Sequence, residues 1–481
     1  MNDLVLGPII GGLSHDQVHL WSKANSTVCQ DMITPPKLHA WVGKLPDLSD
    51  AQLSGTSLPL TEETGYAGVA PITTLQPNTK YYYHLSLSSS FPGPSEEGYP
   101  GFTSFPSPDE RTSFAFAFGS CFRPVDQAGG QIFRVLDQHR QADNLRFLLM
   151  LGDNIYADAF EHNGIGKIAC TLDEYRAVYQ YTWSRPDFQQ LLLNLPVFMT
   201  LDDHEVDDDW RWTDRNRREA YIPWWDKFQR WIKRRPANER EIPLKRVQDA
   251  LQAFWEHQGM HAPPFHLPPR LNLEGQYDLI TEDPGSLAYS FTLGAAAFFV
   301  LDTRSMRVRN RRERIMLGDG QWQALESWFQ AVKDRFPVKF LVSSCSMLYP
   351  MWLDIPEDRW AGFPQERDRL LHLLARRGIE GVYLLTGDLH TAHAVRSNLY
   401  GPDGRDIPLW EFCSSPFEQQ PSRITKKTYI PLRGGPIKDS ERFFWTAEKN
   451  FGVVRVEFPE SGRPRVRFEL YGKDGNLLNQ V

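Results

Sequence analysis

The sequence contains few cysteines, no long apolar segment and no excess of positive charge. Its five cysteines among 481 residues are odd in number and widely spaced, which argues against a disulfide framework. No apolar run approaches the roughly 20 residues that a membrane-spanning helix needs. The formal net charge of −7 argues against general nucleic-acid binding, because such binding needs a basic surface. We therefore expect a globular protein without a membrane span.

The N-terminal stretch MNDLVLGPII lacks the basic and long apolar segments of a secretory signal. This absence predicts a cytoplasmic protein; the alternative is an exported protein whose leader has been removed. Hydrophobic residues make up 41 % and charged residues 23 % of the chain, which is typical of globular proteins. A chain of 481 residues is longer than a single hydrophobic core usually supports, so we expect at least two domains. The oligomeric state is not predictable from these features.

Residues 1–108 are predicted to form a small β-sandwich. Segments such as KLHAWVG and KYYYHLSLS alternate apolar and polar residues with a period of two, and no long helical period appears. The stretch FPGPSEEGYPGFTSFPSPDE is rich in Pro, Gly and Ser, which is typical of a linker. This pattern places a domain boundary close to residue 108.

Residues 112–481 show strands that alternate with helices, which predicts a mostly parallel sheet covered by helices. Residues 205–286 interrupt this alternation with a helical, Trp- and Arg-rich and then proline-rich insertion, a candidate lid or wall. Its IPWWDKFQRWIKRRP segment either steers anions or forms a solvated helix face. Residues 440–481 are strand-like again and are expected to complete a sheet.

Five predicted strands each end in polar, metal-competent or nucleophilic residues. The carboxyl ends of strands line the ligand crevice of an open α/β sheet, so we expect these residues to converge. In chain order they are Ser120 and Cys121; Asp153, with Tyr156 close behind; Asp202, Asp203, His204 and Glu205; Ser343, Ser344 and Cys345; and Asp388, followed by His390.

The residue types at these strand ends point to a metal centre. Cys121 and Tyr156 supply anionic donors, and a tyrosine with an ordinary pKa of about 10 ionises at neutral pH only beside a strong Lewis acid. Together with Asp153 and His390 they favour ferric iron over zinc.

A second set of strand-end residues offers only hard oxygen donors. Asp153, Asp203 and Asp388 suit Ca²⁺, Mg²⁺ or Mn²⁺. Asp153 belongs to both sets and would bridge two ions, which at a separation of roughly 3.5–4 Å clamp a phosphoryl group and supply a bound hydroxide. Each residue alone has an ordinary structural interpretation, as a turn former, a helix cap or a core side chain.

These motifs resemble the alkaline phosphatase D family of metallophosphatases. The resemblance spans most of residues 112–394 and rests on FGSC (118–121), LGDNIYAD (151–158), LDDHE (201–205), LDTRSMR (301–307), LGDGQWQALESWF (317–329), WAGFPQERDRLL (360–371) and TGDLHTAH (386–393). It implies an α/β fold with a calcineurin-like αββα sandwich core, preceded by a small β-sandwich domain. It also implies hydrolysis of phosphate monoesters, diesters or both.

The resemblance implies particular roles for the strand-end residues. Fe³⁺ would be held by Cys121, Asp153, Tyr156 and His390, and Ca²⁺, or Mg²⁺ or Mn²⁺ in its place, by Asp153, Asp203 and Asp388. His204 would sit beside the phosphate ester and protonate the leaving oxygen or bind the phosphoryl group, with Asp203 next to it in the catalytic set.

Arg123 is a further prediction from the residues themselves. Its guanidinium fits a phosphate group, and the alternative is an ordinary surface arginine.

Two other classes of function remain open from the sequence. The same ligands would serve a metal enzyme of another class, such as a redox or halide-dependent enzyme. A non-catalytic binding protein is the third hypothesis, and the intact set of carboxylates argues against it, since a decayed site should have lost at least one of them.

Overall fold

The computed structural model describes residues 3–125, 129–211, 224–235, 237–278, 285–309, 313–351 and 358–481. Within these residues, no helix is long and apolar enough to cross a bilayer. The predicted division of the chain into domains near residue 108 stays a prediction.

The N-terminal strands form two antiparallel sheets. Their bounds are β1 (Leu4–Gly11), β2 (Val18–Ala24), β3 (His39–Gly43), β4 (Gln52–Thr56), β5 (Ala67–Ile72), β6 (Lys80–Ser86) and β7 (Gly101–Thr103). One sheet has the order β1-β2-β5 and the other β4-β3-β6-β7. Leu20 of one sheet and Tyr83 of the other are buried in the same hydrophobic core, so the predicted β-sandwich is confirmed. A short helix, α1 (Ser26–Gln30), follows β2.

A six-stranded central sheet begins the second part of the chain. It has the order β10-β9-β8-β21-β22-β23, in which β8, β9 and β10 are parallel and the remaining pairs are antiparallel. The bounds are β8 (Phe114–Gly119), β9 (Leu145–Met150), β10 (Val197–Met199), β21 (Asn450–Glu457), β22 (Arg465–Gly472) and β23 (Leu477–Gln480).

An eight-stranded sheet has the order β11-β12-β13-β16-β17-β19-β18-β20. Its strands are β11 (Phe265–Leu267), β12 (Ser286–Leu293), β13 (Ala296–Val300), β16 (Val338–Val342), β17 (Val382–Thr386), β18 (Ala392–Tyr400), β19 (Asp406–Cys413) and β20 (Ile437–Thr446). Only β13, β16, β17 and β19 run parallel to one another. A separate hairpin is formed by β14 (Val308–Arg309) and β15 (Arg314–Ile315).

The two large sheets pack face to face through phenylalanines. The ring of Phe116 on β8 lies 5.5 Å from that of Phe298 and 5.2 Å from that of Phe340, both in the other sheet. The alternate residues of β8, Ala115 and Ala117, face the opposite way and join the core beneath the helices. The period of two along this strand therefore creates both layers of the core.

Helices cover the outer faces of both sheets. Their bounds are α2 (Gln131–Asp143), α3 (Leu172–Trp183), α4 (Pro186–Leu192), α5 (Trp224–Ile232), α6 (Ala237–Arg240), α7 (Leu244–Phe254), α8 (Gly318–Val332), α9 (Pro364–Arg377) and α10 (Thr425–Thr428). A capping box between Thr171 and Glu174 starts α3, and Gly378, in the left-handed conformation, ends α9. The αββα core is therefore confirmed.

Two expectations about the second part of the chain need correction. The sheets are mixed rather than mostly parallel, because strands joined by hairpins, such as β12 and β13 or β21 and β22, pair antiparallel. Residues 205–286 contain helices α5–α7, as expected, but they also supply β11 at the edge of the eight-stranded sheet. Residues 212–223 and 279–284 of this stretch lie outside the described residues.

Candidate metal centre

The predicted ligands lie on loops that follow β8, β9, β10 and β17, at the carboxyl ends of these strands. Four of these residues have positive φ angles: Cys121 (64°), Asp153 (54°), Asp388 (69°) and His390 (52°). Non-glycine residues adopt this left-handed conformation at a cost, and such residues cluster at functional sites. The backbone therefore has an unusual φ angle at each of the four residues whose side chains enter the site.

Two glycines allow the loops to approach one another. A Cβ atom on Gly387 would lie 2.4 Å from Oγ of Ser120, and one on Gly152 would lie 2.4 Å from Cβ of Asp202. Glycine is therefore required at both positions for close packing of the strand ends.

The first group of ligands surrounds one oxygen of Asp153. The thiol of Cys121 donates to Asp153 Oδ2 at 3.3 Å, and the hydroxyl of Tyr156 donates to the same oxygen at 3.2 Å. The Tyr156 hydroxyl also lies 3.2 Å from Nε2 of His390. Ligand atoms of Cys121, Asp153 and His390 lie within 4.8 Å of one another. The structure thus brings together all four residues of the predicted iron set.

The second group contains an acid that the sequence analysis did not assign to the metal. Asp153 and Asp388 share their group with Asp202, all ligand atoms lying within 4.8 Å, while Asp203 lies with Asp153 and His204 in another such group. The carboxylate of Asp203 also accepts hydrogen bonds from the backbone N–H groups of His204 (3.1 Å) and Asp209 (2.7 Å). Asp202 is therefore an additional candidate ligand beside Asp203.

The electrostatics of the cluster favour a bound cation. Burial and the neighbouring carboxylates raise the pKa of Asp153 and that of Asp388 well above the usual range, and burial, then Asp153, raises the pKa of the Cys121 thiol. Among the described atoms, Oδ1 of Asp153 and Oδ2 of Asp202 are buried without a hydrogen-bond partner. A bound cation stabilises buried carboxylate oxygens that have no hydrogen-bond partner, and it also deprotonates a coordinating thiol. The residues present therefore fit metal ions.

His204 lies at the edge of this cluster. Its Nδ1 is 2.9 Å from Oδ1 and 3.0 Å from Oδ2 of Asp158, and its ring lies 4.2 Å from that of Tyr156. Burial acts to lower the pKa of His204, but the carboxylates of Asp158, Asp153 and Asp203 outweigh it and raise this pKa well above its usual value. His204 is thus oriented by its hydrogen bond to Asp158 beside the candidate centre.

The structure places Arg123 next to the site, with its guanidinium 5.9 Å from the ring centre of Tyr156. One of its terminal nitrogens donates to the carbonyl of Glu161 at 2.9 Å. Its Nε is buried and has no hydrogen-bond partner among the described residues.

The sequence analysis did not assign Arg304 and Asp358 to the site, although it did include Ser344 among the strand-end residues. Nε of Arg304 donates to Asp202 Oδ1 at 2.5 Å, and the two terminal nitrogens donate to the carboxylate of Asp358 at 2.5 and 3.0 Å. Ser344 also donates to Asp202 Oδ1, at 2.7 Å. Arg304 lies within the LDTRSMR motif, which could have marked it as a site residue. Its partners Asp202 and Asp358 are distant in the sequence and could not be inferred.

Glu205 joins two of the ligand loops. Its carboxylate accepts hydrogen bonds from the backbone N–H groups of Asp153 (3.3 Å), Asn154 (2.7 Å) and Asp202 (3.0 Å). Burial raises the pKa of Glu205 to about 7. This residue therefore fixes the spacing between the loops after β9 and β10.

Comparison with solved structures shows that two phosphatases have a similar fold. A structure of PhoD superposes with a TM-score of 0.70 at 18 % identity, covering 99 % of this chain and 92 % of that chain. The purple acid phosphatase PPD1 from yellow lupin (Lupinus luteus) seeds superposes with a TM-score of 0.55 at 12 % identity, covering 98 % of this chain and 73 % of that chain. At these identities the similarity establishes the fold alone.

The family follows from the sequence itself. The PhoD-like phosphatase family matches residues 114–467, and the chain belongs to that family, as the sequence motifs predicted. Alkaline phosphatase D of Bacillus subtilis (strain 168) is 25 % identical over 363 residues, which are 68 % of this chain and 53 % of that protein. The chain thus spans about half the length of this curated relative.

Proposed function

We propose that this protein is a metal-dependent phosphoesterase that hydrolyses phosphate monoesters, diesters or both. The observation that carries the proposal is the position of Asp153, whose carboxylate belongs both to the group with Cys121 and His390 and to the group with Asp202 and Asp388. A carboxylate shared by two ligand groups is the arrangement that a two-metal hydrolytic centre requires. Family membership supports the same conclusion.

The donor types support two different ions. The thiol, phenol and imidazole groups around Asp153 suit Fe³⁺. The second set contains only carboxylates, which suit Ca²⁺, Mg²⁺ or Mn²⁺: Asp153, Asp388, Asp203 and the additional Asp202. When bound, such ions supply Lewis-acid stabilisation of the phosphoryl oxygens and acidify the attacking water.

The protein's own residues would bind the ester and move a proton. His204 donates through Nδ1 to Asp158, which leaves Nε2 to protonate the leaving oxygen of the ester. The carboxylate of Asp158 keeps the imidazole charged until that transfer. Arg123, beside Tyr156, would bind a phosphoryl oxygen through its guanidinium. The cellular compartment stays a prediction.

The test measures phosphate or alcohol release by the metal-loaded full chain. We expect turnover of p-nitrophenyl phosphate, bis-p-nitrophenyl phosphate or both, and a loss of at least about 1,000-fold in Asp153→Ala, because this change removes one ligand from each group. The matched control is Asp406→Ala, which removes an exposed carboxylate paired with Lys438 and should retain turnover.

Elemental analysis of the same samples completes the experiment. We expect close to one equivalent of iron and one of a divalent ion in the unaltered protein, and less of both in Asp153→Ala. Unchanged turnover in Asp153→Ala, or full occupancy by zinc alone in an active sample, would contradict the proposal.

A further inference from the structure

Helix α5 (Trp224–Ile232) exposes its apolar face to solvent. Trp224, Trp225, Phe228, Trp231 and Ile232 have relative exposures of 70, 54, 41, 59 and 57 %. They follow the spacing i, i+1, i+4, i+7 and i+8, which places all five on one side of an α-helix. An amphipathic helix on a globular protein normally turns this side toward the core, so the orientation of α5 is the reverse of the usual one.

The aromatic side chains form one continuous surface. Ring centres of Trp224 and Trp225 are 5.5 Å apart, those of Trp225 and Phe228 5.7 Å, and those of Phe228 and Trp231 6.1 Å. Contiguous exposed apolar surfaces of this type mark interaction sites on soluble proteins.

The opposite side of α5 is anchored to the protein through Arg230. Its two terminal nitrogens donate to the carboxylate of Asp207 at 2.6 and 3.2 Å, and one also donates to the carbonyl of Glu239 at 2.7 Å. Asp207 is fully buried, so turning α5 over would break a desolvated ion pair and leave Arg246 as the remaining partner of this carboxylate. The aromatic side of the helix is therefore held outward.

Cations accompany the aromatic surface. Lys227 and Arg234 are exposed, and across the described ranges neither of them forms an ion pair. Tryptophan and phenylalanine beside lysine and arginine are the composition of helices that lie in the interface of an anionic bilayer. Protein interfaces are depleted in lysine, and a second copy of the same face would oppose like charges.

We propose that α5 docks the protein on an anionic phospholipid surface, with the side chains of Trp224, Trp225, Phe228, Trp231 and Ile232 inserted at the headgroup level. Lys227 and Arg234 contact the lipid phosphates. Because Asp207, which holds α5, lies three residues after His204 in the sequence, docking keeps the candidate metal centre close to the lipid surface. The proposal does not depend on the proposed activity, since lipid binding is measured without turnover.

The test is co-sedimentation of the full chain with vesicles of phosphatidylcholine alone and of phosphatidylcholine with phosphatidylglycerol. We expect binding to the phosphatidylglycerol vesicles that weakens with added salt. The double variant Trp225→Ala/Trp231→Ala should bind at least about tenfold more weakly, because it removes inserted aromatic area. The double variant Lys227→Gln/Arg234→Gln should lose most of the preference for phosphatidylglycerol.

The matched control is Ile33→Ala/Leu273→Ala, which removes two fully exposed apolar side chains (103 and 101 %) from other segments and should bind vesicles like the unaltered protein. All variants should keep the unfolding midpoint and the turnover of a soluble ester.

Three results would overturn the proposal. The first is absence of binding to either vesicle at low salt. The second is binding that Trp225→Ala/Trp231→Ala leaves unchanged. The third is a dimer in light scattering without lipid that the same tryptophan changes abolish, which would assign the face to a second copy of the chain.

Discussion

Gly152 and Asp202 lie so close that a Cβ atom on the glycine would stand 2.4 Å from Cβ of the aspartate. Gly152→Ala should therefore displace the loop that carries Asp153 or the one that carries Asp202. Since a misplacement of about 1 Å in a catalytic constellation costs roughly 100-fold in rate, we expect kcat/KM on a soluble phosphate ester to fall by about that factor.

Gly93→Ala is the matched control for this change. Gly93 has a φ of 105°, similar to the 92° of Gly152, but no atom lies within 4 Å of the Cβ position. Both variants carry the backbone strain of a left-handed alanine, about 1–2 kcal/mol, and only Gly152→Ala carries the steric clash. Equal kinetic losses in the two variants would show that the close approach to Asp202 is unimportant.

Tyr156→Phe tests the phenol as a metal ligand. The Tyr156 hydroxyl is 3.2 Å from Asp153 Oδ2 and 3.2 Å from His390 Nε2, so ferric iron bound between these groups should show a phenolate charge-transfer band and a purple colour. We expect the iron-loaded variant to lose this visible absorption. Tyr82→Phe, in strand β6 of the N-terminal region, should keep it, and an unchanged spectrum in Tyr156→Phe would remove the phenol from the ligand set.

Arg304→Gln should strongly destabilise the protein. Arg304 is fully buried and pairs with Asp202 and Asp358, so the variant leaves the buried Asp202 without its cation, while Asp358 keeps its pair with Arg307. Breaking a buried ion pair in this way costs about 3–5 kcal/mol, which urea unfolding of the metal-free protein measures. The control Arg335→Gln removes an exposed partner of Asp109 and should have a much smaller effect on the free energy of unfolding.

His261 should make stability depend on pH. Burial lowers the pKa of His261 to about 4, against an ordinary value of about 6.5. Between these values the unfolded chain binds more protons than the folded one, so the free energy of unfolding falls as pH falls from about 6.5 to 4. This single group accounts for a loss of about 3 kcal/mol at the lower limit.

The variant His261→Gln isolates this effect. It should flatten the dependence of the unfolding free energy on pH over that range. A slope that is the same in His261→Gln and in the unaltered protein would contradict the assignment.

The sequence predicted where the candidate centre lies better than it predicted which residues form it. Cys121 and Asp153 follow the neighbouring parallel strands β8 and β9, and the carboxyl ends of parallel strands meet at one edge, so their proximity was predictable. Asp202 and Asp203 are adjacent acids at the end of one strand. Which of them offers an unpaired oxygen to the cluster depends on Arg304, about one hundred positions away in the sequence, and no local pattern shows that.

Helix α5 illustrates a second limit of the sequence. Its segment was interpreted as an anion-steering or solvated basic face, because the run of Lys and Arg is evident. The side that faces the protein carries Arg230, which pairs with the buried carboxylate of Asp207. Periodicity shows that a helix has two different sides, but the tertiary contact decides which one is buried.

Strand β8, which leads directly to Cys121, is hydrogen-bonded on one side to β9 and on the other to β21, from residues 450–457. The hydroxyl of Ser415 also donates to the sulfur of Cys121, at 3.2 Å. Segments more than 300 residues apart in the sequence must therefore come together before Cys121 has its complete surroundings. A break in the pairing of β8 with β21 would disturb this cysteine without changing any of the candidate ligands.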